Sequence, residues 1–159
     1  MNIFILDSDP TIAASYMCDR HVVKMILETA QILCTVSGLR NIPGPYGMTH
    51  VHHPVVKWTN QTLSNWEWLC KHGIALCKEY TRRYHKRHKS QNVIEWVIEC
   101  GARPPIGNLT PFVQAMPDKY KNTDAVIAYR DYYLGEKKEF ATWHAPAQPP
   151  TWWFTRLES

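Results

Sequence analysis

The chain predicts an all-α protein, and three features of its 159 residues carry that prediction. Apolar residues recur at helical period in about four stretches. Prolines and glycines gather between those stretches rather than inside them. Apart from Ile3-Phe4-Ile5-Leu6, no run reads as a strand. The expected architecture is one compact domain over residues 1–159, mainly α, with long Pro-rich loops and an irregular aromatic C-terminal tail.

Met1 to Leu6 reads as a short, buried extended segment because its apolar residues are contiguous. Asp9-Pro10 supplies a helix start, with a capping carboxylate and a proline at the first helical position. A helix, or a pair of short ones, is expected from there to Ser37-Gly38, where glycine can take a left-handed C-cap. Pro43-Gly44-Pro45 and Gly47 make residues 39–54 a loop. Helical spacing returns from Val55 to about His85, with Trp66, Leu69, Cys70, Leu76, Cys77, Tyr80 and Tyr84 on one stripe. Ser90 is the expected N-cap of a third helix that stops before Gly101. Residues 102–122 are Pro-rich and loop-like. Asn122 or Thr123 is then placed to cap a last helix carrying Val126, Tyr129, Tyr133 and Phe140. The tail from Ala145 holds three prolines and Thr151-Trp152-Trp153-Phe154 and reads as an irregular packed arm.

Composition narrows the class. Hydrophobic residues make up 45% and charged residues 20%, as in an ordinary globular domain long enough to bury a core without disulfides or metals. The five cysteines form no C-x-x-C pair, which fits reduced, buried thiols. No basic leader precedes the apolar opening and no run approaches a bilayer span, so the expectation is a cytoplasmic protein that uses no membrane. The net charge of +4, with eight histidines beside it, suggests a polyanionic partner.

One stretch combines a core face with chemistry: Asp19 to Leu33. Val22, Val23, Ile26, Leu27, Ala30 and Leu33 are expected to form its apolar stripe. His21, Lys24, Glu28 and Gln31 fall at i, i+3, i+7 and i+10 and so share one narrow polar line. An imidazole, an ammonium, a carboxylate and an amide in line can hold phosphates and move protons; the same pattern also describes a solvated face with a Lys24–Glu28 pair. The run from Arg82 to Lys89, with Arg82, Arg83, Lys86, Arg87 and Lys89, is either a solvated helix end or a phosphate-neutralising patch. Aromatic richness nearby favours the latter, since nucleic-acid surfaces combine cations with stacking platforms. His50, His52 and His53 lack the spacing of a metal site and have no carboxylate close by, so no metal or other cofactor is expected. Trp152 and Trp153 are either a plug for the core or a platform for a base. No nucleophile elbow, P-loop or dinucleotide fingerprint is present.

Several stretches, taken together and in order, resemble the pyrimidine-dimer DNA glycosylases of the phage endonuclease V type. Asp19-Arg20-His21, with Glu28 seven residues after the histidine, is similar to that family's Asp-Gln-His helix and its catalytic Glu. Glu67 to Leu76 and the following Lys78-Glu79 to Arg83 resemble its long basic helix. Met116-Pro117-Asp118-Lys119-Tyr120-Lys121 is similar to its Pro-acidic-aromatic-basic loop, and Pro150-Thr151-Trp152-Trp153 to its C-terminal Pro-Thr-Trp-Tyr. The co-linearity extends over nearly the whole chain.

The resemblance implies a small all-α protein that binds duplex DNA, kinks it and releases a damaged pyrimidine, with no obligate protein partner. A phage source would place it in the bacterial host cytoplasm. In the family an N-terminal α-amine attacks sugar C1′, forms a Schiff base and leads to β-elimination, while the Glu stabilises the cationic sugar. That division of labour is chemically sound: α-amines ordinarily titrate nearer neutrality than lysine, and a carboxylate favours an oxocarbenium-like centre. Glu28 takes the Glu role here, with His21 expected to contact phosphate or to position Glu28. By the same resemblance, Arg20, Gln31, Arg82, Arg83, Lys86, Arg87, Lys89, Lys121, Trp152 and Trp153 are candidate DNA contacts.

This chain departs from the family at four places. The residue after Met1 is Asn2 rather than a small one, Ile3 replaces a basic residue, and Leu27 and Gln31 replace arginines flanking the Glu. Asn2 disfavours removal of Met1, and one extra residue would move the amine by about 3.5 Å. Three amines therefore stand as candidates: those of Met1, of Asn2, and of Lys24 if burial lowers its pKa. A DNA-binding protein that has lost the chemistry, and a nucleotide-processing enzyme using the same polar line, are the other readings of these residues.

Overall fold

The computed structural model describes residues 1–157, and within them the chain forms seven α-helices and one 3-10 turn with no strand. Helices α1 (Pro10–Tyr16) and α2 (Asp19–Leu39) arise from the first expected helical stretch; α3 (Pro54–Thr59) and α4 (Leu63–Tyr84) arise from the second. Then come α5 (Gln91–Cys100), α6 (Ala125–Glu136) and α7 (Thr151–Leu157). Two splits and a helical tail thus account for seven helices where about four were expected.

Capping chemistry explains most of the boundaries. Asp9 accepts from the N–H groups of Thr11 and Ile12, as expected. Thr62 restarts the chain as α4 by accepting from Asn65 N–H at 3.1 Å. Asp124, rather than Asn122 or Thr123, caps α6, while Asn122 holds the Asp124 N–H. Ser90 is the N-cap residue of α5, as expected, but its side chain makes no capping bond: its backbone is already helical and its hydroxyl pairs with Tyr46 Oη at 2.8 Å. Gly38 likewise does not end α2 in the left-handed region. Asn41 takes that conformation instead, at φ 73°, three residues further on.

Helices α1, α2 and α5 pack on α4, which is the central element, and α3 closes against α2. The α2–α4 crossing is tight at Gly73, where a Cβ would lie 2.9 Å from Thr29 Cγ2. By length and composition α2 could cross a bilayer, with a mean hydropathy of 1.4, yet 61% of that stretch is buried inside the fold.

The face that α2 buries differs from the expected stripe. Val23 and Leu27 are 41% and 40% exposed, whereas Met25, Thr29 and Ile32 are buried. The helix is rolled because the N-terminal segment covers its His21 edge: Phe4 stacks on the His21 ring at 4.3 Å. That segment is buried as expected but is not extended. Asn2 Oδ1 accepts from Ile3 and Phe4 N–H, and Phe4 turns into the left-handed region at φ 47°. Four cysteines, Cys18, Cys34, Cys70 and Cys77, are buried; Cys100 is exposed, and all five are free thiols.

Candidate active site

The N-terminal turn, the polar line of α2, the start of α3 and the 114–121 loop enclose a cleft of about 460 Å³. Met1 and Glu28 lie at its floor. The Met1 amine is 3.8 Å from Glu28 Oε1. Glu28 Oε2 is buried without a hydrogen-bond partner, so one carboxylate oxygen is left unsatisfied for an incoming group. The Met1 side chain is only 2% exposed, so the methionine is packed into the fold and its amine is held in place.

Asn2 is the anchor of this turn. Beyond its two bonds to the following N–H groups, its amide donates to Ala115 O at 2.7 Å, tying the N-terminus to the 114–121 loop.

His21 lines the cleft but is 4% exposed beneath Phe4. Its Nδ1 sits 2.6 Å from Tyr133 Oη, which also accepts the Cys18 N–H. Burial, with the cations of Lys137, Lys24 and Arg20, pushes the His21 pKa down to about 3. A neutral imidazole under a ring does not grip phosphate, so the expected phosphate contact is corrected: His21 packs among Phe4, Tyr133 and Phe140. Lys24 also lines the cleft and is exposed, without the burial on which a role as nucleophilic amine depends.

Sequence reasoning missed part of the wall. Lys137 enters the cleft from beyond α6, with its ammonium 5.0 Å from the Tyr132 ring centre and 5.7 Å from that of Phe4. Nothing in the Lys137-Lys138 pair distinguishes it from a solvated helix end. His53, Gln114, Met116 and Tyr132 complete the lining. In the sequence His53 stands out only as one of three clustered histidines. Among the described residues no group of three or more His, Cys, Asp or Glu side chains is placed to hold a metal.

The other candidate contacts divide. Lys121 lines the cleft and pairs with Asp118 at 2.9 Å. Arg20 is exposed, its guanidinium 4.3 Å over Phe140. Gln31 is half-buried and lies outside the cleft lining. Lys86 and Lys89 are exposed, and the loop carrying them is held against α2 by His88 Nε2, which donates to Val23 O at 3.0 Å. Arg82 chelates Glu79, and Arg87 pairs with Asn92 and Glu95.

Two expectations are corrected outright. Arg83 is fully buried, donating to Glu79 at 2.9 Å, Asp19 at 3.0 Å and the Ser15 carbonyl, so it ties α4 to the start of α2 and cannot face DNA. Trp152 and Trp153 are 8% and 7% exposed and pack edge-on against Tyr133, which makes them a core plug and not a stacking platform.

Fold and cleft together define an all-α protein with an amine–carboxylate pair on the floor of a cleft lined by three lysines. The family model described as pyrimidine dimer DNA glycosylase matches residues 1–92, more than half of the chain, and the protein belongs to that family of DNA repair glycosylases. No curated protein and no solved structure is significantly similar to it. The matched region holds Met1, Lys24, Glu28 and His53, while the opposite wall, from Gln114 to Lys137, lies beyond it.

Proposed function

We propose that the protein is a DNA N-glycosylase with abasic-site lyase activity, acting on damaged or modified pyrimidines in duplex DNA. The observation that carries this reading is the Met1 amine 3.8 Å from Glu28 Oε1 in a cleft whose other charged groups are lysines. The amine attacks C1′ of the damaged nucleotide, and the C1′–N1 bond breaks with its electron pair leaving on the pyrimidine. Opening of the sugar ring, with loss of the amine protons, gives the Schiff base. Removal of a C2′ proton then expels the 3′ phosphate oxygen by β-elimination. Glu28 stabilises the cationic sugar and exchanges protons with the amine. Lys24, Lys121 and Lys137 neutralise the phosphates that flank the extruded nucleotide.

Retention of Met1 is part of the proposal. The buried methionine side chain fixes the amine beside Glu28, and removal of the residue would withdraw the amine by about 3.5 Å, out of near-attack range.

Incision of a duplex carrying one thymine dimer, with and without borohydride, is the test. Strand cleavage and a trapped adduct that maps to Met1 are expected. Glu28→Gln should lower incision by at least about 10²-fold while duplex binding persists. Binding with neither cleavage nor adduct would instead identify a DNA-binding protein without the chemistry.

A further inference from the structure

His53 is the N-cap of α3 and lines the cleft that holds Met1 and Glu28. Its Nδ1 accepts the Val55 N–H at 3.1 Å. An imidazole whose Nδ1 lone pair is committed in this way carries its proton on Nε2, so Nε2–H is the donor that the cap leaves free. We infer that His53 is a tautomer-pinned hydrogen-bond donor that receives the pyrimidine O2 as the base departs. The inference rests on the glycosylase reading above.

The chemistry asks for such a group. When C1′–N1 breaks, the electron pair goes to the pyrimidine and the charge is shared with O2, a carbonyl oxygen that becomes a strong acceptor only in the transition state. A preorganised donor aimed there favours the transition state over the ground state. The lysines of the cleft suit permanent phosphate charges; a neutral, directional N–H suits a charge that develops and disappears. His53 remains in that neutral form because burial lowers its pKa, and the Met1 amine and His50 lower it further. Protonation would also have to occur at Nδ1, which would displace the Val55 N–H and uncap α3. His53 and Met1 line the same cleft, so donor and nucleophile share one neighbourhood, as attack and departure at a single C1′ require.

The cap supplies a clean set of variants. Ser and Asn both cap helices, so His53→Ser keeps α3 while deleting the donor, and His53→Asn keeps the cap and offers an amide N–H. Two substrates separate the steps: a duplex with a thymine dimer, and the same duplex with an abasic site, from which no base departs. His53→Ser should lower base release by about 10²-fold and abasic-site incision far less, and His53→Asn should recover much of the difference. Equal losses on both substrates, or base release within twofold of wild type, would overturn the assignment. The ¹⁵N spectrum of the wild-type protein provides a readout independent of turnover: His53 should show a protonated Nε2 and a lone-pair Nδ1 at pH 7. An Nδ1–H tautomer or an imidazolium there would also overturn it. Failure of the glycosylase reading looks different: the wild-type protein would then neither incise the abasic duplex nor give a borohydride adduct, and the role given to His53 would fall with it.

Discussion

His21 and His72 are buried neutral, at 4% and 0% exposure, and their pKa values are lowered to about 3 and about 4, in both cases chiefly by burial. Unfolding returns both to about 6.5, so below that pH the unfolded chain binds more protons than the folded one. Stability is then fully present above about pH 6.5 and falls as pH drops toward the folded values. The slope should approach about 1.4 kcal/mol per pH unit for each group. Denaturant titrations between pH 7 and 4 would measure it, and a flat profile would contradict the neutral burial of both rings. That His21 has this role was not legible from its spacing. Position i in a polar line looks the same whether the ring meets solvent or lies under Phe4, and only the left-handed turn at Phe4 decides between them.

At the scale of elements, the joint that matters most is the one Arg83 makes. It connects α4 to Asp19 at the start of α2 and to the carbonyl of Ser15 in α1, and it shares Glu79 with Arg82. Arg83→Met leaves Asp19 without its buried partner and should cost about 3–5 kcal/mol. Adding Asp19→Asn should recover part of that loss, and the two-variant comparison in urea would show the coupling. The sequence placed Arg83 in a basic run because charge patterning cannot see a partner 64 residues away. Helix existence was much more legible. The Asp9-Pro10 start and the stripe of α4 were readable because caps and periodicity are local. The roll of α2 and the helical form of Thr151–Leu157 depend on packing partners, and so they were not.

Over the whole molecule, the cationic surface is smaller than the number of lysines and arginines suggests. Arg82, Arg83 and Arg87 are engaged by carboxylates of the protein itself, as is Lys121 by Asp118, whereas Lys86 and Lys89 are exposed; Lys24, Lys121 and Lys137 line the cleft. Duplex affinity should therefore fall with salt, and neutralising any of the three cleft lysines should reduce the slope of log K against log salt by about 0.9 for each phosphate that goes unneutralised. Titrations at several salt concentrations with Lys24→Gln, Lys121→Gln and Lys137→Gln measure this. Unchanged slopes would move the DNA footprint away from the cleft. The candidate site was legible in its matched half, where Glu28 and the polar line stand out. Its far wall was not, because Lys137 is marked only by the aromatic rings the fold brings around it.

The wiring of the cleft also makes its early residues depend on much later ones. Asn2 is held by Ala115, His21 rests on Tyr133, and Tyr133 is braced by Trp152 and Trp153. Asn2 and His21 thus depend on residues 113 and 112 positions further along before their surroundings are complete. The lining of the cleft runs from Met1 to Lys137, so a chain that has not yet reached Lys137 lacks the far wall and no such half-made copy carries a finished cleft.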